Sequence, residues 1–247
     1  MSLGQVGKVA VVVGVGSQKG LGAALGRRFA QEGLHTFVAG RTREKLDAVV
    51  SEIEASGGQA SAVLTDTTRS EEVEALLDRA LREGGSLDLV AYNAGNNQFS
   101  SLLEMSDEFF ENLWRTCCFG GFLVGREAAR RMVPQGWGSI LFTGATASLR
   151  ARPPFTAFAA AKAGLRSVAH GMAREFGPQG IHVGHVVIDG VIDGDIVNQR
   201  FPGIKEAKGE AGMLGIAAIA DAFWSMHVQH PSAWTLELDL RPYRETF

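Results

Sequence analysis

The chain of 247 residues is short of cysteine, of tyrosine, of net charge and of long apolar runs, and each shortage excludes something. Its only two cysteines, Cys117 and Cys118, are sequence neighbours and cannot staple distant segments. They read as small buried thiols in a reducing compartment. The formal net charge of -3 gives no electrostatic reason to expect nucleic acid or an acidic membrane surface as a partner. No stretch is long enough to span a bilayer. The apolar run Val9–Val13 is too short for the core of a signal peptide and is followed by glycines rather than a cleavage site. A cytoplasmic protein without a membrane partner is expected.

What is present fits one globular domain spanning 1–247, with 45% apolar and 21% charged residues. Seven short β-branched runs recur: 9–13, 36–39, 60–64, 87–92, 139–142, 183–188 and 236–240. Most are continuously apolar, as strands buried on both faces are, which predicts a doubly wound parallel sheet of about seven strands in a three-layer α/β/α domain. Helical periodicity falls between them, over 21–31, 43–56, 71–82, 108–133, 156–176 and 216–227. Ser70, with Glu72 and Val73, resembles a weak capping arrangement, and Gly57-Gly58 and Gly84-Gly85 stand where helices should stop. The glycine- and charge-rich stretch 200–215 reads as a long loop, either a cover over a site or an ordinary surface excursion.

Directly after the first strand comes Gly14-Val15-Gly16-Ser17-Gln18-Lys19-Gly20-Leu21-Gly22, where a helix opens. Glycine suits a backbone that turns sharply or presses against a pyrophosphate, and the helix amino terminus offers unpaired N–H groups and a favourable dipole. The second strand ends at Ala39-Gly40-Arg41. An acid here would hold ribose hydroxyls, whereas Gly40 removes it and Arg41 suits a 2′-phosphate, with Lys19 as a second cation; NADP(H) is preferred over NAD(H). The alternative reading leaves Arg41 and Lys19 as solvated surface charges.

Taken in order, these motifs resemble the short-chain dehydrogenase/reductase family over nearly the whole chain. Its glycine turn is matched by Gly16, Gly20 and Gly22, its Asn-Ala-Gly motif by Asn93-Ala94-Gly95, and its adenine-contacting aspartate by Asp66, which Thr67 follows. The resemblance implies a Rossmann-type sheet, a nicotinamide cofactor at the strand carboxyl ends, and a homodimer or homotetramer joined through the two long helices. Gly190 and Ile192, in Asp189-Gly190-Val191-Ile192-Asp193, fall in the loop that contacts the carboxamide in the family.

The catalytic tetrad departs from the pattern. The family's Tyr-x-x-x-Lys reads Phe158-Ala159-Ala160-Ala161-Lys162; its serine falls on Ala145 and its asparagine on Cys117. The wider spacing of the enoyl reductases places Phe155 at the tyrosine, and Tyr92 and Tyr243 are the only tyrosines in the chain. Hydride transfer needs positioning rather than a base, but loss of the general acid forgoes about 10²–10⁴ in rate. Thr146, Ser148, Asp189 and His185 are the nearest substitute donors by sequence, or the acceptor needs no strong acid, as with an iminium or an activated alkene. Thr143 and Thr146, which flank Ala145, could orient a carbonyl or simply pack after a strand. His185 sits within an apolar strand and reads first as a core histidine.

His227 and His230 share a helix face and read as a solvated pair, and no metal site is expected. The pocket should be lined by 96–99, 149–155 and 200–213, apolar and mixed-polar without a diagnostic charge. Two readings stand: an NADP(H)-dependent oxidoreductase acting on a small carbonyl, imine or activated alkene with a non-tyrosine donor, or a non-catalytic NADP(H)-binding protein.

Overall fold

The computed structural model describes residues 8–95 and 97–245. Seven parallel strands form the central sheet: β1 (Lys8–Val13), β2 (His35–Gly40), β3 (Ala60–Leu64), β4 (Ser86–Tyr92), β5 (Gly138–Thr143), β6 (Ile181–Ile188) and, after the two-residue strands β7 (Ile192–Asp193) and β8 (Leu214–Gly215), β9 (Glu237–Leu240). Their spatial order is β3-β2-β1-β4-β5-β6-β9. The chain winds outward in one direction from β1 to β3 and in the other from β4, so a crevice opens between β1 and β4 at the strand carboxyl ends. β7 and β8 pair separately, Ile192 with Leu214 and Asp193 with Gly215.

Alternation along the buried strands divides the core. Ala10 and Val12 of β1 pack with α1 (Leu21–Gln31) and α2 (Arg43–Ala55), whereas Val9, Val11 and Val13 face α3 (Ser70–Gly84) on the other side. The second layer continues through α4 (Asp107–Trp114), α5 (Gly120–Gln135) and α6 (Thr156–Phe176), while α7 (Asp195–Arg200) and α8 (Ile204–Lys208) lie beyond β7 and α9 (Ile216–His227) returns to pack against α1. Gly121 lets α5 close on its neighbours, because a Cβ there would stand 2.3 Å from Leu165 Cδ1.

Three expectations change in detail. The helix expected over 108–133 runs from α4 through a π-helical segment, Arg115–Phe119, into α5; apolar periodicity gives no sign of the extra residue per turn. Arg69, not Ser70, is the residue before α3 and has no side-chain cap, while Glu72 accepts instead from the Asp66 N–H at 2.7 Å. The stretch 200–215 is not one loop, since it holds α8 and β8.

Candidate active site

A cleft of about 670 Å³ lies outside the carboxyl ends of β1, β4, β5 and β6, within the size range of small-molecule sites. At one end sits the glycine turn. Gly14 has φ +87° and a Cβ there would lie 2.3 Å from Ala94 N, so only glycine lets the turn pass the Asn93-Ala94 backbone, to which it is also tied by Asn93 Nδ2 donating to Gly14 O at 3.2 Å. Gly16 is different: nothing among the described residues lies within 4 Å of its Cβ position, so it borders open cleft. Beside it the Ser17 hydroxyl oxygen is buried without a partner. Leu21 and Gly22 begin α1 after Gly20, with no side-chain cap and no acid in the first turn. Open space over Gly16, an orphaned hydroxyl and an uncapped helix start are what a pyrophosphate would fill, so these residues fit a dinucleotide.

Lys162, on α6, occupies the middle of the cleft. Its Nζ donates to Thr143 O at 2.7 Å, and a Cβ on Gly95 would lie 3.3 Å from that nitrogen and from Cys117 Sγ. Burial lowers the Lys162 pKa, against the pull of Cys117 and Cys118. One turn earlier the Phe158 ring lines the same wall, its centroid 5.8 Å from Lys162 Nζ. Both cysteines are buried and free; burial raises the Cys118 pKa.

Ala145 borders the cleft without a hydroxyl, but Thr146 beside it donates to Asp189 Oδ1. Asp189 is buried at the end of β6 and is held by Arg241 at 2.8 Å and more loosely by Arg150 at 3.6 Å. Gly190 and Ile192 also line this wall. Thr143 borders the cleft too, and its Oγ1 is buried without a partner.

Other expected residues fall elsewhere. Ser148 Oγ turns back to donate to Ala145 O at 2.6 Å. His185 is fully buried behind Gly144, its Nδ1 3.0 Å from Glu237 Oε2 and its Nε2 without a partner, so it is a core histidine and does not line the cleft. Thr67 is buried against the Gly120 position and the Tyr92 hydroxyl. Tyr92 is fully buried, donates to Thr116 O and has its pKa pushed up by that burial, so it cannot stand in for the missing tyrosine. Cys117 is likewise fully buried.

Arg41 is exposed near Asp66, whose oxygen accepts from Thr68 N and Oγ1; burial opposes ionisation there, but those bonds and the field of Arg41 bring the Asp66 pKa down overall. Lys19 is exposed on a second, smaller cleft with Asp193, Asp195 and Lys205, which Arg41 does not line. Gly40 has its own packing reason, because a Cβ there would stand 2.4 Å from Val15 O.

His227 and His230 do not form a pair. His227 closes α9 with its Nδ1 2.9 Å from Ser139 Oγ, and His230 lies past the helix on Ser232. The titratable cluster the sequence does not reveal is His170, His185 and Glu237, contributed by α6, β6 and β9. Both Glu237 oxygens there accept from Arg166, at 2.6 and 2.8 Å.

The pocket walls draw on all three expected stretches. Asn97, Phe155 and Phe201 line the cleft, and so do Arg150, Arg152 and Arg200, so the lining carries more positive charge than expected. Leu149 is exposed and Met213 buried, both away from the cleft, and Asn96 lies outside the described residues.

A crossover-ordered parallel sheet with an uncapped glycine turn and a buried lysine at its switch point defines a dinucleotide-binding α/β oxidoreductase frame. The family model of the short chain dehydrogenases matches residues 8–204, and the chain belongs to that family of oxidoreductases. It is 32% identical over 207 residues to the oxidoreductase asL5 of Sarocladium schorii, covering 84% of this chain and 78% of that protein. A short-chain dehydrogenase structure from Rhodopseudomonas palustris is 40% identical, with TM-score 0.82 over 97% of this chain and 100% of that one. An alcohol dehydrogenase from Thermococcus sibiricus complexed with 5-hydroxy-NADP is 24% identical, with TM-score 0.85 over 97% of this chain and 98% of that one, a likeness of fold.

Proposed function

We propose that the protein is an NADP(H)-dependent oxidoreductase that moves hydride to or from a small carbonyl, imine or activated alkene, with a proton-carrying group other than tyrosine. The observation that carries this is the cleft itself: open space over Gly16 at one end, and the buried Lys162 ammonium anchored on Thr143 O in the middle. When bound, the nicotinamide nucleotide supplies or accepts the hydride. The turn from Gly14 to Gly22 receives the pyrophosphate, Arg41 the 2′-phosphate, and Lys162 the nicotinamide ribose. That the Thermococcus sibiricus protein holds an NADP derivative on the same fold supports the nucleotide choice.

Thr146 and Asp189 take the place of the tyrosine as proton carriers in this reading. Thr146 is the cleft hydroxyl with an acid–base partner, and Arg241 and Arg150 fix that partner. The hydroxyl proton points at Asp189, which leaves its oxygen lone pairs toward the cleft and favours substrates that carry a proton in, such as an iminium or an alcohol.

The test is titration of NADPH and NADH, followed by NADPH oxidation against ketones, imines and enones. Tighter NADPH binding and turnover of at least one class are expected. Thr146→Val should cut that turnover at least about 10²-fold with NADPH affinity unchanged. NADPH binding with no turnover of any class would overturn the assignment of catalysis. We further propose a homodimer or homotetramer joined through the long helices, where Phe110 and Trp114 of α4 stand exposed.

A further inference from the structure

Three guanidinium groups reach the substrate end of the cleft from two separate segments. Arg150 and Arg152 come from the turn before α6, and Arg200 from the end of α7. Few carboxylates on this side are left to answer them. Asp189 is already paired with Arg241 at 2.8 Å, so the 3.6 Å contact to Arg150 leaves that guanidinium largely unspent. Glu245 is paired with Lys208 at 3.0 Å, and Asp195 lies toward the glycine turn, its N–H donating to Lys19 O. Arg152 has no side-chain hydrogen bond or ion pair among the described residues, and it lies in the turn that leads into Phe158. Arg200 lies over two rings, 4.9 Å from the Phe99 ring centroid and 5.4 Å from that of Phe201, and among the described residues it donates only to the Asn97 carbonyl, at 3.3 Å.

An arginine fixed over aromatic rings and bonded to a neutral carbonyl keeps its charge for an incoming anion, and its planar fork suits carboxylate and phosphate. The surfaces between the arginines are apolar: Phe155, Phe158 and Ile204. We infer that the substrate is an acid, a carboxylate or phosphate monoester carried on an apolar body, whose anionic group is held by Arg152 and Arg200 with support from Arg150. The inference rests on the cleft being the substrate site proposed above and names the class of molecule that enters it.

The test uses three probes of one shape: benzoate, phenyl phosphate and the neutral benzamide, titrated calorimetrically into the whole protein with and without saturating NADPH. Benzoate or phenyl phosphate should bind at least tenfold more tightly than benzamide, and whichever is tighter identifies the head group. The double variant R152Q/R200Q should lose that advantage while binding NADPH as before. Acids that bind no better than benzamide in both forms would overturn the inference, as would an advantage that survives in the double variant. A fall in NADPH affinity matching the loss of acid binding would also overturn it, by assigning the arginines to the nucleotide. Failure of NADPH to bind, with acid preference intact, would strike the proposed cofactor and leave the acid site standing.

Discussion

Phe158 is the residue at which sequence and chemistry meet most directly. Its ring occupies the wall one turn before Lys162 and faces the cleft with no group able to ionise. Phe158→Tyr combined with Ala145→Ser adds hydroxyls at both positions, and ketone reduction should rise by about 10² or more, read as NADPH oxidation. No rise would mean that these side chains do not flank the reacting atoms. Arg41→Ala should weaken NADPH by about 1.5–3 kcal/mol, the worth of a hydrogen bond to a charged group, and leave NADH unchanged by calorimetry. The expected departures at Phe158, Ala145 and Cys117 come from the family resemblance, with Lys162 setting the register in which its motif is laid on this sequence. The ion pair of Asp189 with Arg241 is not, since the partners are far apart in sequence and meet only where β9 pairs with β6. Arg152 and Arg200 lie within stretches the sequence assigns to the pocket wall, but their charge does not stand out there, because a sequence does not say which side chains in a lining segment lack a carboxylate partner.

At the scale of elements, the union of β6 with β9 carries a pH dependence. Burial holds the His185 pKa at about 4 against the pull of Glu237, and burial likewise holds His227 at about 4, both below the ordinary 6.5. The unfolded chain therefore takes up protons first as pH falls from 6.5, and stability present above that value is lost on the way down to about 4. Hydrogen bonding to Arg166 holds Glu237 at about 2, below the ordinary 4.5, so its contribution is present above 4.5 and lost as pH falls toward 2. Tm measured against pH should be flat between about 7 and 8, below the range where Cys118, Tyr92 and Lys162 titrate in the unfolded chain, and fall in these two windows; in His227→Gln the decline between 6.5 and 4 should be shallower and the lower one kept. The helices α1, α6 and α9 were legible to the residue, because their amphipathic stripes are long and end at clear breaks. β7 and β8 were not: two residues are too few to show any period.

For the molecule as a whole, the sheet is a wall between two apolar layers, and no helix among the described residues is long and apolar enough to cross a membrane. Leu25→Ala, in the layer shared by α1 and α9, should cost about 2–5 kcal/mol by urea unfolding. If copies join through the long helices, Trp114→Glu should lower the mass measured by light scattering to that of one chain. Gly40 has the widest reach of the features described, since it sits where the end of β2 touches the turn leaving β1. Planting an acid there to change the proposed coenzyme choice would drive its first carbon into the Val15 carbonyl, and the loop proposed to cradle the nucleotide would have to retreat. If the proposed site holds, selectivity and grip are geared together at that contact, and an engineer who wants to change one must redesign both.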